Sequence, residues 1–201
     1  MSSPVLWYAT RATGVMALVL LTGTMLLGLL TSTRFATRWW PGVAQQDLHR
    51  RVSLLSVLFV AGHVLTSVLD SFVHIGWAAV FVPFLSGYKT VWVGLGTISL
   101  DLMLAIALTS ILRHRISPRL WRGVHWLAYV SWPIAVIHTI GIGTDVHTRW
   151  VLDLVIGCVV AVVAAAGIRL ASALERRRRA ADLPAVRTRP PGVGVKHRVD
   201  A

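Results

Sequence analysis

The stretch "LHRRVSLLSVLFVAGHV", residues 48–64, decides how this chain is read. After its two arginines it is apolar enough for lipid, yet it carries His49 near its start and His63 near its end. A histidine inside a bilayer is costly and marks a functional position by default. Fourteen residues of α-helix rise about 21 Å and return to within about 40° of the starting face. One helix therefore offers two imidazoles on one side at two depths.

The rest of the chain supplies the membrane context. It has 201 residues and is 55% hydrophobic, against roughly 45–50% for a soluble domain even with glycine counted. Besides 48–69, apolar runs at about 12–30, 91–112, 124–142 and 150–170 each approach the roughly 20 residues a bilayer needs. The expected fold is an all-α integral membrane helical bundle of five transmembrane spans plus a short interfacial segment. That segment, 76–87 ("GWAAVFVPFLSG"), is too short to cross and is interrupted by Pro83, and its Trp77 and Phe84 suit the interface. The first run has no basic residue before Arg11 and reads as a retained span, not a cleaved signal.

Twenty Lys and Arg against eight Asp and Glu give a formal charge of +12. The cations fall at the edges of the apolar runs and in the C-terminal tail, so membrane topology accounts for them and no nucleic-acid partner is implied. Arg34, Arg38, Arg50 and Arg51 flank the first connection, and Arg113, Arg115, Arg119 and Arg122 flank the third. The opposite face has Arg11, Lys89 and Arg149. Loops one and three and the tail are thus expected in the cytoplasm and the N-terminus outside, in a multi-pass protein of the cell membrane. Residues 1–172 form the membrane domain, and 173–201, polar and rich in Pro and Gly, are expected to be a disordered basic tail whose four-arginine run meets anionic headgroups. The single cysteine, Cys158, lies in an apolar run, which excludes an intrachain disulfide and reads as a packed thiol.

The span at 124–142 carries a second histidine pair, His125 and His138, in "WRGVHWLAYVSWPIAVIHTIG". One intervening span makes this helix parallel to that of His49 and His63. His49 and His125 then share the inner level, and His63 and His138 the outer level. Two stacked sites, each with one imidazole from each helix, suit two bis-histidine b haems. A zinc or copper site from the same four residues is excluded, because ligands about 2 Å from one ion cannot bridge levels this far apart. The thirteen residues from His125 to His138 turn an ideal helix by about 220°, so this pairing requires a kink or change of winding, expected near Trp132 and Pro133.

The span order, together with "LHRRVSLLSVLFVAGH", "ALTSILRHRISPRLWRGVHWLAY" and "VIH", resembles the ferric reductase-like transmembrane domain over roughly residues 7–170. That family includes ferric reductases, the membrane half of NADPH oxidases and the haem-b subunit of the bacterial methionine sulfoxide reductase system. The resemblance implies that His49, His63, His125 and His138 ligate two b haems that carry electrons across the membrane. Ferric reductases and NADPH oxidases continue into a cytoplasmic FAD and nicotinamide domain, whereas about thirty polar residues follow the last span here, with no strand-bounded G-x-G-x-x-G. The chain is therefore expected to be the membrane subunit of an oxidoreductase. Its donor would be a separate flavoprotein or membrane quinol, so a flavin or quinone is a further candidate cofactor. Its acceptor would be ferric iron or an extracytoplasmic partner oxidoreductase.

Arg50, Arg51 and Arg122 beside the inner pair, and Arg11 near the outer pair, are candidate partners for haem propionates, since an arginine fork suits a carboxylate. Asp101, near the middle of the third span, is a candidate proton acceptor or a protonated acid bonded to Thr97 or to a neighbouring helix. His74, Asp145 and His147 in the outer loops could bind a metal substrate or a partner, although ordinary solvated residues look the same; His114 and His197 read as surface residues. Two readings compete with electron transfer. A proton-coupled transporter or channel would use His63, His138 and Asp101 as a relay, and an assembly or anchoring subunit would use the histidines only for packing.

Overall fold

A computed structural model of the chain describes residues 4–32, 41–70, 73, 75–143 and 149–182. All regular structure among the described residues is helical: α1 (Pro4–Ser32), α2 (Gly42–Leu69), α3 (Trp77–Phe81), α4 (Thr90–Ile111), α5 (Pro118–His125), α6 (Ala128–Ile142) and α7 (Arg149–Asp182). Four of these, α1, α2, α4 and α7, are long and apolar enough to cross a membrane. Hydroxyls within them return to their own helix: Thr22 donates to the Leu18 carbonyl at 2.8 Å, Ser53 to His49 at 2.7 Å and Thr109 to Ala105 at 2.7 Å. Such bonds let a Ser or Thr sit in an apolar helix without an unsatisfied group.

The expected fourth span is not one helix. It is divided into α5 and α6 by a turn at Trp126–Leu127. Ser117 caps α5, its hydroxyl accepting the Leu120 N–H at 3.2 Å, with Pro118 in the first turn. The change of winding expected near Trp132 lies further toward the N-terminus. Leu127, Tyr129 and Val130 donate to carbonyls three residues back, and Trp126 and Leu127 have ψ of −20° and −16°, a 3₁₀ turn. Pro133 itself sits inside an unbroken α6. Winding three or four residues at about 120° instead of 100° brings His138 from about 220° to within roughly 60–80° of the face of His125.

Two antiparallel helix pairs form the body of the protein. Along α1 and α2, Gly14 meets His63, Thr24 Oγ1 lies 3.2 Å from Ser56 Oγ, and Gly28 meets His49. Along α4 and α6, Trp92 packs on Gly141, Gly96 on His138, and Ser99 and Ser131 exchange hydrogen bonds from hydroxyl to carbonyl, each 3.0 Å. The core that joins the elements is apolar: Leu18 and Leu29 of α1, Trp132 and Val136 of α6, and Val155 and Val162 of α7, with Cys158 packed at its edge. At its centre the Trp132 indole N–H donates to Thr22 Oγ1 at 3.1 Å. By contrast, α2 packs along α1 and makes no extended contact with α4, α5 or α6. A slot therefore runs between the two pairs.

The segment expected at the interface dips alongside α4. Ala79 and Val80 of α3 are buried while Trp77 and Phe81 are exposed, and the Ala79 carbonyl accepts the Thr97 hydroxyl at 2.8 Å. Thr97 lies about 10 Å along α4 from its start. Phe84 takes a left-handed φ of 65° and lays its ring on Gly94, where any Cβ would collide with it. The tail expected to be disordered from residue 173 is helical to Asp182, because α7 runs without a break through the four arginines. Residues 183–201, including His197, and Arg34, Arg38, His74, Asp145 and His147 lie outside the described residues.

Candidate functional site

The four histidines come together as two pairs across the slot. His49 and His125 have ring centres 6.3 Å apart with planes at 66°; His63 and His138 are 6.4 Å apart with planes at 77°. An imidazole nitrogen binds a first-row metal at about 2.0–2.1 Å and lies about 1.2 Å from its ring centre, so two rings on opposite sides of one ion have centres about 6.4 Å apart. Both pairs have this spacing. Among the described residues no group of three or more His, Cys, Asp and Glu could hold an ion. Each pair can therefore supply two opposed ligands to an ion whose remaining donors come from elsewhere.

The two levels differ in how the rings are held. At the outer level, His63 Nδ1 bonds the Thr10 carbonyl at 2.9 Å and His138 Nδ1 bonds the Trp92 carbonyl at 2.7 Å. A carbonyl can only accept, so both Nδ1 atoms carry the proton and both Nε2 atoms keep a lone pair. Lys89 and Trp92 also secure the end of α6 that carries His138: Lys89 Nζ donates to the Ile142 carbonyl at 3.2 Å, and the Trp92 ring covers Gly141. At the inner level, the Nδ1 atoms of His49 and His125 are buried without a hydrogen-bond partner. Trp121 stacks on His125 with centres 5.2 Å apart at 25°, and its Nε1 is also buried and unpartnered.

These positions bear on the family. A family model described as "Ferric reductase like transmembrane component" matches residues 13–141, which contain all four histidines and the whole slot between them. The chain belongs to the ferric reductase like transmembrane family. No curated protein and no solved structure matches it. As a member of this family the chain is a membrane protein, and membership points to transmembrane electron transfer in general.

The remaining candidate residues of this ferric reductase like chain divide by their contacts. Arg11 follows the residue whose carbonyl holds His63, and its guanidinium lies 3.5 Å over the Trp7 ring. Arg50 is exposed next to His49. Arg51 pairs with Asp47 at 2.8 Å, and Arg122 Nε donates to the Pro118 carbonyl at 3.1 Å, so both are engaged on their own helices. Asp101 has no hydrogen-bond partner among the described residues, and Thr97, its suggested partner, gives its hydroxyl to Ala79. It lies about 40° from Thr97 and about 140° from Gly96 around α4, on the α3 side and away from the histidines. His114 is an exposed residue beside Arg113. The sequence reading passed over Gly14, Gly28, Gly96 and Thr10, all of which meet or neighbour a ligand-type ring, and read Trp121 only as part of the Trp-Arg-x-x-His run and of an aromatic belt.

Proposed function

We propose that this chain conducts electrons across the membrane as a di-haem b-type cytochrome. His49 and His125 would hold one haem and His63 and His138 the other, between a cytoplasmic-side donor, a flavoprotein or quinol, and an outer-side acceptor, ferric iron or a partner oxidoreductase. The observation that carries the reading is the spacing of the two ring pairs, 6.3 and 6.4 Å, which would let one imidazole from each helix hold one iron and is repeated at two depths. Among the described residues no third His, Cys, Asp or Glu joins either pair, which favours a group that would bring further donors of its own. Such a group, held by His49 and His125 or by His63 and His138, would supply reversible one-electron chemistry.

The chain's own residues set position and environment. The Thr10 and Trp92 carbonyls select the tautomer that leaves Nε2 free at the outer level. At the inner level, the unpartnered Trp121 N–H, with Arg50 and Arg122 nearby in sequence, suits a carboxylate at the slot edge. Arg11 has the matching place at the outer level. Among the described residues, Arg50, Arg51, Arg113, Arg115, Arg119 and Arg122 gather at one end of the bundle, which supports a cytoplasmic position for that end.

The test is the reduced-minus-oxidised visible spectrum of detergent-purified protein with haem quantified per chain, for wild type and His63→Leu. Low-spin b-type bands at two haems per chain, falling to one in the variant, are expected. A colourless protein from haem-replete cells refutes the reading and returns the histidines to packing or to a proton path.

A further inference from the structure

Two of the four histidines meet one local arrangement on the neighbouring helix, the carbonyl of residue i and a glycine at i+4, and a third meets the glycine alone. His63 meets Thr10 and Gly14, and His138 meets Trp92 and Gly96, while His49 meets Gly28, four residues beyond Thr24, with no bond to the Thr24 carbonyl. Helical Cβ atoms lean toward the N-terminus, so a side chain at i+4 normally covers the carbonyl of residue i. Glycine uncovers that carbonyl, whose second lone pair can then take a bond from outside the helix. On α1 the two glycines are fourteen residues apart, the same separation as His49 and His63 on the antiparallel α2.

We propose that these carbonyl–glycine pairs are receptors that position the ligand rings, tight at the outer level and slack at the inner. The proposal rests on the bis-histidine haem reading above. A Cβ at Gly14 would stand 2.9 Å from His63 Nδ1, and one at Gly96 2.6 Å from His138 Cε1 and 2.7 Å from Nδ1; both displace the ring from its carbonyl. At Gly28 the nearest His49 atom is 3.5 Å away, an ordinary contact, and no Nδ1 bond forms. The residue fourteen beyond Gly96 is Ser110, not glycine, and the Ile106 carbonyl before it accepts the Thr109 hydroxyl at 3.1 Å. His125 Nδ1 correspondingly has no partner. An Nδ1–H bonded to a carbonyl makes Nε2 a more basic ligand and favours ferric over ferrous iron. Gly14 and Gly96 are thus positioning residues for the outer site, and Gly28 is a loose copy of the same device.

The experiment compares full-length wild type, Gly14→Ala, Gly96→Ala, Gly28→Ala and Gly62→Ala, the last facing only Thr13 Cγ2 at 3.7 Å. Haem per chain, a potentiometric titration and the ferric EPR spectrum are read for each. Gly14→Ala and Gly96→Ala are each expected to lose one of two haems, or to keep both with the outer midpoint raised and its EPR signal shifted. Gly62→Ala is expected to match wild type, and Gly28→Ala to perturb the inner haem less than either outer variant perturbs the outer one. An unperturbed inner haem in the first two variants shows that the bundle has folded. Wild-type stoichiometry, midpoints and EPR in both outer variants, or an equal effect of Gly28→Ala, overturns the receptors and leaves the haem reading intact. A haem-free wild type instead overturns that reading. Nitrogen-15 NMR of histidine-labelled wild type needs no variant: two hydrogen-bonded Nδ1–H groups are expected, and their absence at the outer rings also overturns the proposal.

Discussion

Removing the histidines singly, within a level and across levels measures whether the chain carries two separate sites. His49 and His63 are fourteen residues apart on one continuous helix, which places the levels about 21 Å apart. Substitutions more than about 7–10 Å apart without shared partners are close to additive, whereas those sharing a partner are not. His63→Leu leaves His138 as the lone protein ligand of its pair, so haem is expected to fall from two per chain to one. The double variant at 63 and 138 should remain at one, because its second change acts on a site already lost. The double variant at 63 and 49 should fall to none. The assay is haem quantified as its pyridine complex against chain concentration, on protein that elutes as a single species in detergent. A single outer variant that empties both sites, or a 63/138 double variant that loses more than either single, would refute two independent levels.

Other consequences follow from individual contacts. Trp132→Phe keeps most of the ring but removes the N–H bonded to Thr22, and should cost about 1 kcal/mol in an unfolding titration in SDS with haem content unchanged. Ser99 and Ser131 exchange two hydroxyl-to-carbonyl bonds between α4 and α6; a double-alanine cycle should give a coupling of roughly 0.6 kcal/mol, the usual size inside membranes. Thr97→Val leaves the buried Ala79 carbonyl without its hydroxyl donor and should cost about 1–3 kcal/mol, read as easier proteolysis of the α3 segment. Arg51→Ala breaks an exposed pair with Asp47 and should change stability by no more than about 1 kcal/mol. A larger loss, or a loss of inner haem, would show that Arg51 does more than pair with Asp47.

Much of the architecture was legible in composition and period. The apolar runs at 12–30, 48–69, 91–112 and 150–170 all became helices, since a chain in lipid must satisfy its backbone internally. The pairing of His49 with His125 and of His63 with His138 was readable too, because counting spans gives direction and spacing gives depth. The broken fourth span was legible only as a conflict, thirteen residues that turn the wrong way. Its resolution at Trp126–Val130 depends on which carbonyls each N–H finds, and Pro133 drew attention to the wrong turn. The helical stretch at 173–182 was missed because arginine runs look alike in a tail and at the end of a long helix.

The sequence by itself determined the membrane class, the helical elements and which four imidazoles share which level, because hydropathy, direction and rise per residue are properties of the chain alone. The tertiary structure decided the rest: the 6.3 and 6.4 Å spans between rings, the separation of α2 from α4, α5 and α6, and the difference between a bonded outer pair and an unbonded inner pair. Those depend on how closely two helices approach. At Gly14 and Gly96 that approach is set by the absence of a single carbon atom, whose importance appears only once the facing ring is in place.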